Sequence, residues 1–230
     1  MIAILINSFG IIFASFIGSI IGDKISKKYQ DAIIDALQLS VLIIGINTAL
    51  KGDNLLSVII ALVLGTIVGT KIDIEGKING LGLKIQKIFL KKQKNDLGQN
   101  KFVEAFVTGS LLFCVGSMAI IGPLNSSLLG DNSILISKAI LDTVSAFMMS
   151  ASLGRGMIFS GFSVFLYQGL IYLAANILKN FFTPAVINNI CGVGGLLIIA
   201  LAFNMLKMKD FKTANMLPSI LFAIIFGLIF

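Results

Sequence analysis

The chain has 230 residues, 57% of them hydrophobic and 13% charged, with a mean hydropathy of +0.98 and a net charge of +7. Soluble domains carry about a quarter charged residues, and the apolar blocks here reach the roughly twenty residues that cross a hydrocarbon core as a helix. A soluble enzyme, a nucleic-acid binder and a secreted disulfide scaffold are excluded together.

Hydropathy places about eight spans, at 2–22, 31–50, 55–71, 102–122, 134–153, 156–178, 191–206 and 213–230. The expected fold is an all-α membrane protein, one polytopic domain over 1–230. Its parts are a first repeat-like half (1–71), an interfacial helix and linker (72–101), a central helix pair (102–153) and a second repeat-like half (156–230). Residues 1–22 lack the basic leader of a signal peptide and read as a retained first span.

Orientation follows from the basic residues, because basic loops stay in the cytoplasm. Lys24, Lys27 and Lys28 lie in the first loop, and Lys71, Lys77, Lys84, Lys87, Lys91, Lys92, Lys94 and Lys101 in or beside the third. Arg155 is in the fifth, and Lys207, Lys209 and Lys212 are in the seventh. Of the 18 basic residues only Lys51, Lys138 and Lys179 fall elsewhere. Both termini are therefore expected outside. In the long third loop, Ile74, Ile78, Leu81, Ile85 and Ile88 recur at helical spacing with lysines on the other face. That pattern predicts an amphipathic helix lying on anionic headgroups, as a surface tether or a lipid sensor.

Segment 17–51 aligns without gaps on 173–207, and Leu50-Lys51 falls opposite Leu206-Lys207. Identity is sparse, so topology carries the argument. Spans 1–3 and 6–8 share a spacing pattern but cross in opposite directions, the arrangement of an inverted repeat and of many secondary transporters.

Polar groups inside a bilayer are costly, an ionised carboxylate near a helix centre by about 2.5–3.5 kcal/mol on insertion scales, so they mark candidate sites. In span 5, Lys138, Asp142, Ser145, Met149 and Ser152 form one helical stripe. It reads either as a local ion pair whose lysine neutralises the aspartate, or as an ion ligand or proton carrier on a wet path. In span 4, Glu104 and Thr108 share a face, with Glu104 near the cytoplasmic edge, where it is either a solvated end charge or the inner counterpart of Asp142. Span 2 brings Asp31, Asp35 and Gln38, span 6 brings Tyr167, Gln168 and Asn176, and Asn204 and Asn215 stand in spans 7 and 8, Asn215 followed by Pro218. Each amide serves as interhelical glue or as an oxygen ligand for a hard cation. Gly18-x-x-x-Gly22, Gly65-x-x-x-Gly69 and Gly192, Gly194 and Gly195 allow close helix contact, within a protomer or between protomers.

No cofactor is expected. Histidine is absent, which removes imidazole metal sites and serine–histidine triads, and Cys114 and Cys191 both sit in apolar runs. Tryptophan is absent too, leaving the 18 phenylalanines and 3 tyrosines to form any aromatic belt.

The runs Lys101-Phe-Val-Glu-Ala-Phe-Val-Thr-Gly-Ser-Leu-Leu-Phe-Cys-Val-Gly-Ser-Met-Ala-Ile120 and Ser137-Lys-Ala-Ile-Leu-Asp142 resemble the YqgA/YdfK family of uncharacterised prokaryotic membrane proteins. So do Tyr167-Gln168-Gly169, Gly194-Gly195-Leu-Leu-Ile198 and Ala214-Asn-Met-Leu-Pro218, and the resemblance covers essentially the whole chain. Glu104, Lys138, Asp142, Gln168, Asn215 and Pro218 match its recurrent motifs. The resemblance implies a multi-pass protein of a prokaryotic cytoplasmic membrane, suggested to be a sodium channel or pump, without assigned site residues.

The expected activity is that of an ion channel or ion-coupled transporter for a small cation, with spans 4 and 5 lining the path. The expected partners are the lipid bilayer and a small cation or solute, with no nucleic acid. A homodimer is the default for a symmetric assembly. The competing readings are a structural or regulatory membrane module and, disfavoured by the missing histidines and nucleotide motifs, an intramembrane enzyme.

Overall fold

A computed structural model describes residues 1–22, 24, 26–77, 80, 96–115 and 117–229. The described residues are helical and include no strand. In chain order the helices are α1 (Ile2–Gly22), α2 (Lys27–Ala49), α3 (Leu55–Ile72), α4 (Asp96–Cys114), α5 (Ser117–Leu128), α6 (Ser133–Leu153), α7 (Met157–Leu173), α8 (Ala175–Leu178) and α9 (Pro184–Met205). A short 3-10 turn (Thr213–Met216) precedes α10 (Ser219–Ile229).

Among the described residues, five helices are long and apolar enough to span: α1, α2 from Asp31, α3, α6 and α9. The expected fourth span is instead a broken pair, Phe102–Cys114 and Met118–Leu128, bent by 54°. The sixth breaks at Ala174, between α7 and α8, and the eighth begins as the 3-10 turn ahead of Pro218. Pro218 therefore opens α10, accepting from the Leu221 and Phe222 amides, and the Ala214 carbonyl that its missing amide leaves free is taken by the Leu217 amide at 3.2 Å. The seventh helix starts at Pro184, earlier than hydropathy suggests. Thr183 caps it through the Val186 amide; in its first turns Asn188 donates to Asp53 and Asn189 is buried. The interfacial helix expected within 72–101 falls largely on 78–79 and 81–95, outside the described residues.

Polarity is inverted relative to a soluble bundle. On α1 the buried face carries Asn7, Ser8, Ser15 and Ser19, while Phe9, Phe13 and Phe16 face outward at 63%, 68% and 54% exposure. The outward faces of α3, α6 and α7 are likewise apolar, with Ile59 and Val63, Ile140 and Val144, and Leu166 and Leu170 exposed. Water would not support such a surface; lipid does.

Helix α1 packs along α6 and α7, α2 on α9, α3 on α10, and α4 on α7. The glycines act inside the chain. A methyl on Gly195 would lie 2.1 Å from the Ala49 amide nitrogen, and one on Gly18 2.3 Å from the Phe147 carbonyl oxygen, so α9 meets α2 and α1 meets α6 at backbone contact.

The segments after α1, α3, α6 and α9 gather at one end. There Gly22 packs on Ala151, Gly156 on Phe102, Gln38 donates to the Met205 carbonyl at 2.8 Å, and the Glu75 amide donates to Asn215 at 2.8 Å. At the other end Asp53 accepts from Asn188, Gly52 packs on Gly192, and Gly122 on Leu135.

Candidate functional site

The stripe on α6 is a buried ion pair. Lys138 Nζ lies 2.9 Å from Asp142 Oδ1 and 2.7 Å from Oδ2, and the two residues are 6% and 7% exposed. Four-residue spacing puts the ammonium directly over the carboxylate on one helix face. The packing of α1 and α7 on α6 completes the cluster. Asn7 Nδ2 donates to Asp142 Oδ2 at 3.1 Å and to Gln168 Oε1 at 3.4 Å, and both amide residues are fully buried.

Apolar layers close this cluster on both sides. Ala3, Ile4 and Leu135, with Phe165 and Tyr172 against them, form a small core one turn toward the end that carries the start of α1. One turn the other way, Ile11, Ala146 and Val164 belong to the larger core that runs on to Met149 and Met157. The pair is occluded.

Polar atoms continue past that lower layer. Among the described residues, the buried side-chain atoms without a hydrogen-bond partner are Asn7 Oδ1, Ser8 Oγ, Ser15 Oγ, Thr108 Oγ1, Ser152 Oγ and Gln168 Nε2. All lie on α1, α4, α6 or α7, and none on the α2, α3, α9 and α10 side. Each unpaired group carries a desolvation cost of about 1–3 kcal/mol. Their concentration between four helices marks an interior built for polar contact.

Two cavities lie at the end where the odd-numbered loops gather, and Ser152 brings that interior to the larger of them. One, of about 660 Å³, is lined by Asp31, Asp35, Gln38, Glu104, Ser152 and Lys207 among others. The other, of about 330 Å³, is lined by Glu75, Glu104, Asn204, Asp210 and Lys212 among others. Glu104 is common to both. Lys212 is pushed above the ordinary lysine range by its hydrogen bond to Asp210. The mouth is acidic in a chain that is basic as a whole.

The structure sorts the sequence candidates. Asp142, Lys138 and Gln168 come together. Ser145 is half-buried on the same stripe, and Thr108 is buried and unpartnered on the face of Glu104. Glu104 and Asp142 share neither cavity: Glu104 lines both, Asp142 lines neither. Asn204 Nδ2 donates to the Phe211 carbonyl and Asn204 Oδ1 accepts from the Phe211 amide, each at 2.7 Å, which fixes the turn after α9. Asn215 accepts from the Glu75 amide, while Glu75 Oε2 accepts from the Ala214 amide at 3.0 Å. These asparagines hold backbone instead of offering oxygens to an ion. Among the described residues, no cluster of three or more histidine, cysteine or acidic side chains is arranged to hold a metal.

Sequence reading missed Asn7 and Glu75. Asn7 had a signal: it is the lone amide of an otherwise apolar span, beside Ser8 in a row continued by Ser15 and Ser19. Glu75 lies just beyond α3, in the helical turn of residues 74–77, where a carboxylate among other charged residues draws no notice.

The fold and site define a helical integral membrane protein with an occluded ion pair in a polar interior and an acidic vestibule at one end. The chain belongs to the family of proteins of unknown function DUF554, whose model matches residues 2–228. It is 31% identical over 225 residues to the uncharacterized membrane protein YdfK of Bacillus subtilis strain 168, covering 96% of this chain and 93% of that one. It is 28% identical over 218 residues to the uncharacterized protein YqgA of Escherichia coli K12, covering 95% and 92%. No solved structure matches.

Proposed function

We propose that the protein is an ion-coupled transporter for a small cation in a prokaryotic cytoplasmic membrane, here in a closed state. The observation that carries this reading is the distribution of unpaired buried polar atoms. They line only the α1, α4, α6 and α7 interior, from the Asp142 cluster toward the vestibule of Glu104. A carrier fits better than an open channel, because apolar layers stand on both sides of Asp142. Asp142 holds the cation, Asn7 and Gln168 orient it, and Glu104, Asp31 and Asp35 concentrate cations at the mouth.

In this reading all eight apolar segments cross, with both termini outside. Support comes from the gathering of the four basic loops at one end. The contacts of α1 with α7, α2 with α9 and α3 with α10 pair each helix of the first half with its counterpart in an inverted repeat.

One observation favours a purely structural module. The Lys138–Asp142 pair neutralises itself. Sodium-22 flux into liposomes holding the purified protein separates the two readings. Transport requires uptake well above empty liposomes and its loss in Asp142→Asn; equal flux in wild type, variant and empty liposomes would discard the transport reading.

A further inference from the structure

We infer that the Asp142 site takes primary ammonium ions, with Lys138 as the tethered occupant that an incoming one displaces. This rests on the transport reading above and names the chemical class of cation that the site recognises. Lys138 is itself a primary alkylammonium. The protein holds it more than nine-tenths buried, with Nζ 2.9 and 2.7 Å from the two oxygens of Asp142. Those are the distances of charge-assisted N–H···O bonds. The carboxylate is thus already filled by the kind of group it would bind.

The unpaired atoms beside the pair suit an ammonium that is free of the α6 backbone. Such a group has three N–H donors and no acceptor. Asn7 Nδ2 donates to Asp142 and to Gln168, which leaves Oδ1 of the same amide as a fully buried acceptor without a donor. Ser8 Oγ, on the next residue of α1, is a second buried oxygen without a partner. Asp142, Asn7 Oδ1 and Ser8 Oγ offer three acceptors for three donors, whereas tethered Lys138 bonds only Asp142.

The replacement is like for like. One ammonium leaves the carboxylate and another takes its place, no proton moves, and the charge on Asp142 stays compensated. Lys138 has a route out. It lies roughly 7–8 Å along the axis from Ser133, where α6 begins, at about 1.5 Å per residue. A lysine side chain can reach water over such a distance, once the layer of Ala3, Ile4 and Leu135 parts.

The approach from the other end also suits an organic cation. The cavity of about 660 Å³ is far larger than a bare metal ion needs. Asp31, Asp35 and Glu104 line it together with Ile34, Leu153 and Met205, so carboxylates meet a charged head and apolar walls meet its substituent.

The test uses proteoliposomes of the wild-type protein, buffered alike on both faces, with sodium-22 uptake as the reporter of the Asp142 carboxylate. Methylammonium should lower that uptake, with rising dose, to the level of empty liposomes. Tetramethylammonium, which has the charge and no N–H, should leave it unchanged at the same concentrations. Titration calorimetry in detergent should show methylammonium binding to wild type and none to Asp142→Asn. Lys138→Ala, freed of its own competitor, should bind methylammonium more tightly than wild type. Sodium-22 uptake that resists methylammonium, equal inhibition by both competitors, or unchanged binding in Asp142→Asn overturns this inference and leaves the transport reading standing. Absence of sodium-22 uptake in wild type overturns the transport reading itself, and this inference with it.

Discussion

Glu75 and Asn215 form a reciprocal clasp across the chain, each side chain taking a backbone amide of the other's segment. The Glu75 amide donates to Asn215 Oδ1 at 2.8 Å, and the Glu75 carboxylate accepts from the amide of Ala214, next to Asn215. Two side chains thereby tie the exit of α3 to the 3-10 turn ahead of α10, where Gly69 already lies against the Asn215 carbonyl. Replacing Asn215 with alanine leaves the Glu75 amide without its acceptor, at a cost of about 1–3 kcal/mol. Thermal unfolding in detergent should show a lower midpoint for Asn215→Ala, and a similar drop for Glu75→Ala. An unchanged midpoint in both would mean the clasp contributes nothing.

The buried ion pair makes a prediction about stability that is separate from flux. Removing one partner strands a charge, which costs about 3–5 kcal/mol. Lys138→Ala and Asp142→Ala should each destabilise strongly, while the double variant recovers much of the loss. If the two single effects simply add, measured as unfolding midpoints, the charges are not coupled as the 2.7 Å contact requires.

Topology can be read by labelling single cysteines with a membrane-impermeant maleimide, after Cys114 and Cys191 are replaced by alanine. Cysteines at Asp53 and Asn188, which meet at one end, should label from outside intact cells. Those at Glu75 and Asp210, which line the vestibule, should label only after lysis. The opposite pattern would invert the orientation and put both termini inside, and labelling of all four from outside rules out the eight-crossing arrangement.

Asp131 supplies a pH dependence in the loop between α5 and α6. Its carboxyl accepts from the Ser133 amide at 2.9 Å and is held below the usual carboxylate range by that bond. A depressed folded-state value stabilises above the ordinary carboxylate pKa, and the gain is lost as pH falls through the lower folded value. Amide exchange at the start of α6 should therefore, after correction for intrinsic rates, accelerate on acidification in wild type and stay flat in Asp131→Asn. A flat profile in wild type would show that the bond does not hold in solution.

How much of this was legible in the sequence depends on how each signal is carried. Lys138 and Asp142 stood out because a charge in an apolar run has few explanations, and their spacing alone gave the pairing. Gln168 was visible as a residue but not as a partner, since nothing local says which face of α7 meets α1. Asn7 went unread because one amide near a chain end weighs little against twenty apolar neighbours. Asn204 and Asn215 were left open between interhelical glue and oxygen ligand, because an amide that caps a turn and an amide that binds an ion have the same composition and differ only in geometry. The broken fourth span escaped because hydropathy is blind to a change of axis.

The arrangement of α1 also has a consequence for biogenesis. Its polar face is received by α6 and α7, so Asn7 finds Asp142 and Gln168 only across sequence separations of 135 and 161 residues. During synthesis this helix enters the bilayer long before either partner exists, with its amide and serines turned toward lipid or passing neighbours. Maturation must therefore include a late lateral docking step, in which α1 is gathered in by helices made well after it.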